Sequence, residues 1–141
     1  EIFKNTEIGA HTQPPVIVNG NAYLQCSTNE KKDGLVCLGL DGQVKWKTGN
    51  SPAFDKGGMI LADGLLLSTD GTTKLYLIQP EASGFKAIAS VDILKSGGTD
   101  TNDAMATRVG GSTQNWGPIA LIDGRLLIRD QTRMLCVKVA Q

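Results

Sequence analysis

The stretch Pro118-Ile-Ala-Leu-Ile-Asp-Gly124, followed at once by Arg125-Leu-Leu-Ile128, decides the fold class. Two short apolar runs joined by Asp-Gly signal a hairpin, because a type I′ turn needs positive φ at both central residues and Asn or Asp followed by Gly tolerates that. The same design occurs twice more. Gly58-Met-Ile-Leu-Ala-Asp-Gly64 leads into Leu65-Leu-Leu67, and Pro14-Pro-Val-Ile-Val-Asn-Gly20 leads into Ala22-Tyr-Leu24. Three hairpins are therefore expected, with Gly20, Gly64 and Gly124 as structural residues at their turns.

A third apolar run follows each hairpin: Leu35-Val-Cys-Leu-Gly-Leu40, Lys74-Leu-Tyr-Leu-Ile78 and Met134-Leu-Cys-Val-Lys-Val139. These superpose with Cys37, Tyr76 and Cys136 at one repeat position. A fourth run completes the first two units, Gln43-Val-Lys-Trp-Lys47 after Asp41-Gly42 and Phe85-Lys-Ala-Ile-Ala-Ser-Val-Asp-Ile93 after Gly84. The third unit has no fourth run after it, but Glu1-Ile-Phe-Lys4 reads like Val44-Lys-Trp-Lys47, with Phe3 at the place of Trp46. The turn glycines stand 44 and 60 residues apart. The first spacing matches a four-stranded propeller blade, whose repeat is roughly 40–50 residues, and the second exceeds it by an insertion. No stretch holds a helical apolar period for three turns. The expectation is an all-β chain of about three four-stranded antiparallel propeller blades, part of a larger β-propeller. Residues 1–10 would be the last strand of a preceding or of the final blade, 11–50 and 51–94 two blades, 95–114 an insertion loop and 115–141 an incomplete last blade.

Composition limits the partners. With 14 Lys+Arg against 14 Asp+Glu, the formal net charge is zero. Polyanion binding by bulk electrostatics is thereby disfavoured, and 7 aromatics in 141 residues offer no run of stacking platforms for bases. Nucleic acid is not an expected partner. No apolar run approaches the roughly 20 residues of a membrane helix, so no membrane span is expected. The chain opens Glu1-Ile-Phe-Lys-Asn-Thr-Glu-Ile-Gly9 with neither an initiator Met nor a leader pattern, and reads as a soluble piece of a longer or processed protein.

Reactive candidates are few. Cys37 and Cys136 fall in apolar strands where a small hydrophobe packs, and no Cys/His spacing suggests zinc. Counting outward from a turn at 27–34 sets Cys26 opposite Leu35 and Leu24 opposite Cys37, a register that argues against a Cys26–Cys37 bridge. His11, the only His, has no nucleophile beside it in sequence, and no catalytic residue is assigned. It does fall nine residues before Gly20, as Asp55 and Asn115 fall nine before Gly64 and Gly124. These three belong to equivalent loops that lead into the innermost strands, so they are either ordinary turn residues or lining for one shared mouth. Trp116, next to Asn115, is the second ligand-stacking candidate besides Trp46. The insertion 95–114 is long and patternless, as binding loops are, and Asp100, Asp103 and Arg108 are its candidate ligand-binding residues. Its acidic residues lack the spacing of a calcium loop, so no metal site is assigned.

Residues Leu38-Gly-Leu-Asp-Gly-Gln-Val-Lys-Trp-Lys-Thr-Gly49 resemble a shortened form of the repeat of quinoprotein-like propellers, also called PQQ-like repeat proteins. Asn115-Trp-Gly-Pro-Ile-Ala-Leu-Ile-Asp-Gly-Arg-Leu-Leu-Ile-Arg-Asp130, with Leu135-Cys-Val-Lys-Val139, is similar to the carboxyl-terminal blade of bacterial proteins of this type. The resemblance covers most of the chain outside 95–114. It implies that Trp46 docks between neighbouring blades, with Phe3 a substitute in its own strand, and that a full ring has more blades than this chain encodes. Closure by a homo-oligomer is then one expectation. It also implies an extracytoplasmic, periplasmic setting. Two functions compete: a noncatalytic binding or scaffold module, without cofactor, that presents its loop face to a protein or other polymer, and a fragment of a pyrroloquinoline quinone- and calcium-dependent dehydrogenase. The second would need a calcium-binding carboxylate cluster, a catalytic Asp and a ring-stacking Trp.

Overall fold

The computed structural model describes residues 1–94, 114–131 and 133–139. Eleven strands run β1 (Val16–Val18), β2 (Asn21–Gln25), β3 (Leu35–Gly39), β4 (Val44–Lys47), β5 (Met59–Ala62), β6 (Leu65–Thr69), β7 (Lys74–Gln79), β8 (Lys86–Asp92), β9 (Ala120–Ile122), β10 (Arg125–Arg129) and β11 (Met134–Lys138). They form three antiparallel sheets of four, four and three strands, ordered β1-β2-β3-β4, β5-β6-β7-β8 and β9-β10-β11. No helix occurs among the described residues. The chain is thus all-β and built of successive propeller-like blades, the third of which has no fourth strand among the described residues.

The hairpin turns have the backbone that their sequence requires. Asn19, Asp63 and Asp123 lie at φ of 51, 48 and 48°, and the following glycines at 71, 76 and 67°. Only residues tolerant of the left-handed region fit both places. The β2–β3 register departs from a symmetric count: Gln25 pairs with Leu35 and Tyr23 with Cys37. The connecting loop sets this. The Cys26 N–H donates to the Gly34 carbonyl (2.8 Å), and the Thr28 N–H to the Lys31 carbonyl (2.7 Å), closing a turn inside a loop one residue longer than counting assumed. Both outer pairs carry an irregularity, between Cys37 and Leu38 opposite β4 and between Leu77 and Ile78 opposite β8. By strand register Cys37 corresponds to Leu77 and Cys136, since these pair with Tyr23, Leu67 and Leu127 three residues after each turn glycine. Tyr76 belongs to the opposite face of its sheet.

That alternation makes the core. Tyr23, Leu35 and Cys37 of the first sheet meet Leu66, Tyr76 and Ile78 of the second, with Phe54 between them. Leu67 and Leu75 turn the other way and meet Leu126 and Ile128 of the third sheet, together with Ile119 and Leu94. Each seam is therefore fed by one face of each sheet, as period-2 strands dictate. Trp46 lies at the first seam, 6.0 Å from the Tyr23 ring and 6.1 Å from Phe85, and its indole N–H donates to the Glu81 carbonyl (2.8 Å). Phe85, the residue before β8, packs at this same first seam, and the place of Trp46 in the second sheet is taken by Ala89. Cys37 is buried, whereas Cys136 is exposed rather than in the core. No bridge joins Cys26 to Cys37.

Residues 1–10 contain no strand. The Phe3 ring lies over Gly42, where a Cβ would come within 2.8 Å of it, and Asn5 Nδ2 donates to the Gly42 carbonyl (3.4 Å). Asn5 Oδ1 caps a turn by accepting from the N–H groups of Glu7 (2.8 Å) and Ile8 (3.0 Å), and Lys31 Nζ donates to the Glu7 carbonyl (3.2 Å). Within one chain this segment runs along the first sheet from its β3–β4 turn to its β2–β3 loop. Among the described residues no helix is long and apolar enough to cross a membrane.

Candidate functional site

The three segments that lead into the innermost strands β1, β5 and β9 meet at one end of the sheets. Thr12 Oγ1 donates to the Lys56 carbonyl (3.3 Å), and Gln13 Nε2 to the Trp116 carbonyl (3.1 Å). Asp55 N–H donates to the Asp70 carbonyl and Asn115 N–H to the Gly71 carbonyl, both at 2.9 Å. Gly71, at φ 85°, is the hub of this arrangement: a Cβ there would come within 2.7 Å of Lys56 N. Only the absence of a side chain lets three backbones converge so tightly.

Lys56 is the central side chain. It is only 8% exposed. Its ammonium sits 4.4 Å from the centre of the Trp116 ring and 3.3 Å from Asp55 Oδ1. A cation over an indole face, partly withdrawn from water and paired with a carboxylate, contributes on the order of 1–2 kcal/mol and fixes the ring plane. Thr12, Lys56 and Trp116 each stand eight residues before a turn glycine, so one repeat position supplies the line of contacts from Thr12 through Lys56 to Trp116.

Beside Trp116 opens a cleft of about 340 Å³, lined by Thr12, Gln13, Gln114, Trp116, Arg129 and Gln131, with Gly117, Pro118 and Asp130 completing it. Arg129 crosses Gly117 so closely that a Cβ there would meet its Nε at 2.8 Å. Asp130 holds Arg133 through Nε (2.9 Å) and accepts from the Arg133 N–H (2.9 Å), while the Arg133 guanidinium also donates to the Leu94 carbonyl. The Gln114 and Gln131 amides hydrogen-bond to each other. Behind the cleft, Asn115 is fully buried, and neither polar atom of its amide has a partner among the described residues.

The residues singled out from sequence are distributed as follows. Asp55, Asn115 and Trp116 come together at this mouth, Asp55 through Lys56. His11 is exposed and sits just before the lining residues Thr12 and Gln13. Asp100, Asp103 and Arg108 lie outside the described residues. Sequence reasoning missed Thr12, Gln13, Lys56 and Arg129. Sliding the repeat comparison by one residue would have found Thr12 and Lys56 with Trp116.

The lining offers amide donors and acceptors, a hydroxyl, a guanidinium and an aromatic face, a set suited to holding a polar ligand. Among the described residues no group of three or more His, Cys, Asp or Glu side chains converges. The mouth's carboxylates are committed, Asp55 to Lys56 and Asp130 to Arg133. Calcium takes six to eight oxygen ligands, and the described donors do not make such a cage. Set against models of protein families, the chain matches none, and no curated protein sequence matches it.

Proposed function

We propose that this chain is a noncatalytic binding or scaffold module of a β-propeller of the quinoprotein-like type, which holds a segment of a protein ligand at its loop face. The observation that carries this reading is the cleft beside Trp116, lined by the lead-in segments of the first and third repeats, with Lys56 of the second repeat's segment holding the indole. Its glutamine amides match the donors and acceptors of an extended peptide backbone. Its indole gives a flat apolar wall held in place by Lys56. Arg129 favours a carboxylate on the ligand, since a guanidinium pairs with that group in two-pronged fashion. An interface of this kind takes most of its affinity from a few aromatic and arginine side chains.

The test is a selection of short displayed peptides, acidic and neutral, on the immobilised chain, followed by titration of the survivors against variants. Peptides carrying a carboxylate are expected to be retained, and to lose about tenfold or more in affinity with Trp116→Ala and with Arg129→Ala. Survivors that bind both variants as tightly as the parent would sink the assignment to this cleft. The same module is expected to work outside the cytoplasm, in keeping with the family it resembles.

A further inference from the structure

The first hairpin turn differs from the other two in a single functional group: Asn19-Gly20 carries a carboxamide where Asp63-Gly64 and Asp123-Gly124 carry a carboxylate. The difference is one of reactivity. At neutral pH a carboxamide carbon accepts attack by the main-chain nitrogen of the next residue, whereas a carboxylate repels it. Ring closure needs that residue's N–H free and its side chain out of the way, and Gly20 meets both conditions. It has no side chain, an added Cβ would find nothing within 4 Å, and its N–H makes no hydrogen bond among the described residues. Asn19 and Gly20 are both exposed, so water reaches them. Of Asn19 only the main-chain carbonyl is held, by Asn21 Nδ2 (2.9 Å), a bond that draws electrons from the peptide group and makes the Gly20 N–H a better acid.

Every other asparagine among the described residues is guarded, each in its own way. Asn5 commits Oδ1 to the N–H groups of Glu7 and Ile8 and Nδ2 to the Gly42 carbonyl. Asn21 commits Nδ2 to the Asn19 carbonyl, and Ala22 after it lies inside β2 between two paired strands. After Asn29 the Glu30 N–H donates to Thr28 Oγ1 (3.2 Å), and after Asn50 the Ser51 N–H donates to the Thr48 carbonyl (3.1 Å), so both nucleophiles are occupied. Asn115 is fully buried.

We propose that Asn19 is a site of self-modification, at which the folded chain converts its own carboxamide to a carboxylate with water as the only co-reactant. Hydroxide takes the proton of the Gly20 N–H, the nitrogen bonds to Asn19 Cγ, and the Cγ–Nδ2 bond breaks, so that the side-chain nitrogen leaves as ammonia. Water then opens the ring at one of its two carbonyl carbons. Cleavage between Gly20 N and Cγ gives aspartate in the ordinary main chain. Cleavage between Gly20 N and the main-chain carbonyl carbon gives isoaspartate, whose chain runs through Cβ and Cγ. Either product takes the chain from a formal net charge of zero to one negative charge. They differ in what the fold can bear. Aspartate suits the turn, as Asp63 and Asp123 show, each at φ 48°. Isoaspartate adds a carbon to the main chain between Val18 and Asn21, the pair that closes the hairpin. Since β1 is three residues long and is held only by β2 in its sheet, that extra carbon unfastens it.

The test is incubation of the folded 141-residue chain at mildly alkaline pH, with ion exchange to collect acidic species and peptide mass analysis to place the lost amide. Loss at Asn19 is expected to be faster by about tenfold or more than at any other described asparagine, since only there is the neighbour an unhindered glycine. Asn19→Gln, whose longer side chain must close a larger ring, is expected to abolish the acidic species. That species is expected to divide in two. One part coelutes with the Asn19→Asp variant and keeps the parent's amide protection in β1. The other resists a protease that cleaves before aspartate, and it loses protection in β1 while β2 and β3 keep theirs. Amide loss spread evenly over the asparagines overturns the proposal, as does an Asn19 that outlasts the rest. An isoaspartate form with β1 protected as in the parent overturns the structural consequence.

Discussion

Cys26 is sealed within the first sheet's end loop, and burial pushes its thiol from the ordinary 9.0 up to about 12, with the charge of Asp33 acting in the same direction and Lys47 against it. Burial likewise raises Cys37, and it raises the phenols of Tyr23 and Tyr76 above their ordinary 10.0. In all four the protonated form is the one that folding favours. The unfolded thiol of Cys26 ionises near 9.0 while the folded one holds its proton to about 12, so its contribution is intact below the first value and is lost as pH rises through the second. Urea unfolding at a series of pH values should show stability falling above about pH 9 by roughly 1.4 kcal/mol per unit from this thiol alone, steeper as the others join. Cys26→Ala should remove that share of the slope, and a pH profile indistinguishable from the parent's would contradict the account. None of this was legible from the cysteine count, because the spacing of three thiols says nothing of which one a neighbouring blade will cover. Cys136 makes the point: its strand is as apolar as that of Cys37, but Cys37 lies on the face that meets the second sheet, whereas Cys136 lies on the face of the third sheet turned away from the second.

At the scale of elements, the hairpins were the most legible feature, since Asn-Gly and Asp-Gly dictate their own backbone. The polar seam between the first two blades was not. Gln25, at the end of β2, donates through Nε2 to Ser68 Oγ (2.9 Å) and the Thr69 carbonyl (2.7 Å), and its Oε1 accepts from the Gly57 N–H (2.7 Å). Thr69 Oγ1 in turn accepts from the Gly58 N–H (2.9 Å), so the segment feeding β5 is held by side chains of β2 and β6. Nothing in the local sequence distinguishes Gln25 from an exposed strand-end glutamine; its role follows from a register that the β2–β3 loop fixes through Ser27, whose hydroxyl donates to the Phe54 carbonyl (2.5 Å) and accepts from the Gly34 N–H (3.1 Å). Gln25→Ala leaves the buried Gly57 N–H unpaired and leaves the Thr69 carbonyl with only the longer bond from the Ser68 hydroxyl (3.3 Å), and is expected to cost about 2–3 kcal/mol in chemical denaturation. Gln25→Glu keeps the acceptor for Gly57 but loses both donors and buries a charge, and should cost at least as much. The lead-in segments show the same limit of local reading. Their equivalence was visible from the turn glycines, yet the side chains that touch are one place further along than the Asx residues that draw the eye.

For the whole molecule, the arrangement of seams sets how stability is shared. The first and second sheets are joined by one apolar cluster, the second and third by another, and no buried residue belongs to both. Apart from the Gln13–Trp116 hydrogen bond at the mouth, the apolar contacts run only between neighbouring units, and such a chain behaves as a one-dimensional array, so damage at one seam spreads only as far as coupling through the shared sheet allows. Phe54 is 1% exposed at the first seam, with its ring 4.9 Å from Tyr76, and Ile128 is 1% exposed at the second. Truncation of either to Ala removes a buried side chain and should cost about 3–5 kcal/mol for Phe54 and 2–4 kcal/mol for Ile128. The informative measurement is where protection is lost. In amide hydrogen exchange, Ile128→Ala should open β9, β10 and β11 first while β2 and β3 keep the protection of the parent, and Phe54→Ala should do the reverse. The double variant should be additive to within about 0.5 kcal/mol, because the two sites share no partners. A uniform loss of protection from either substitution would mean that the three blades unfold as a single unit, held by more than the two seams, and the array description would have to be given up.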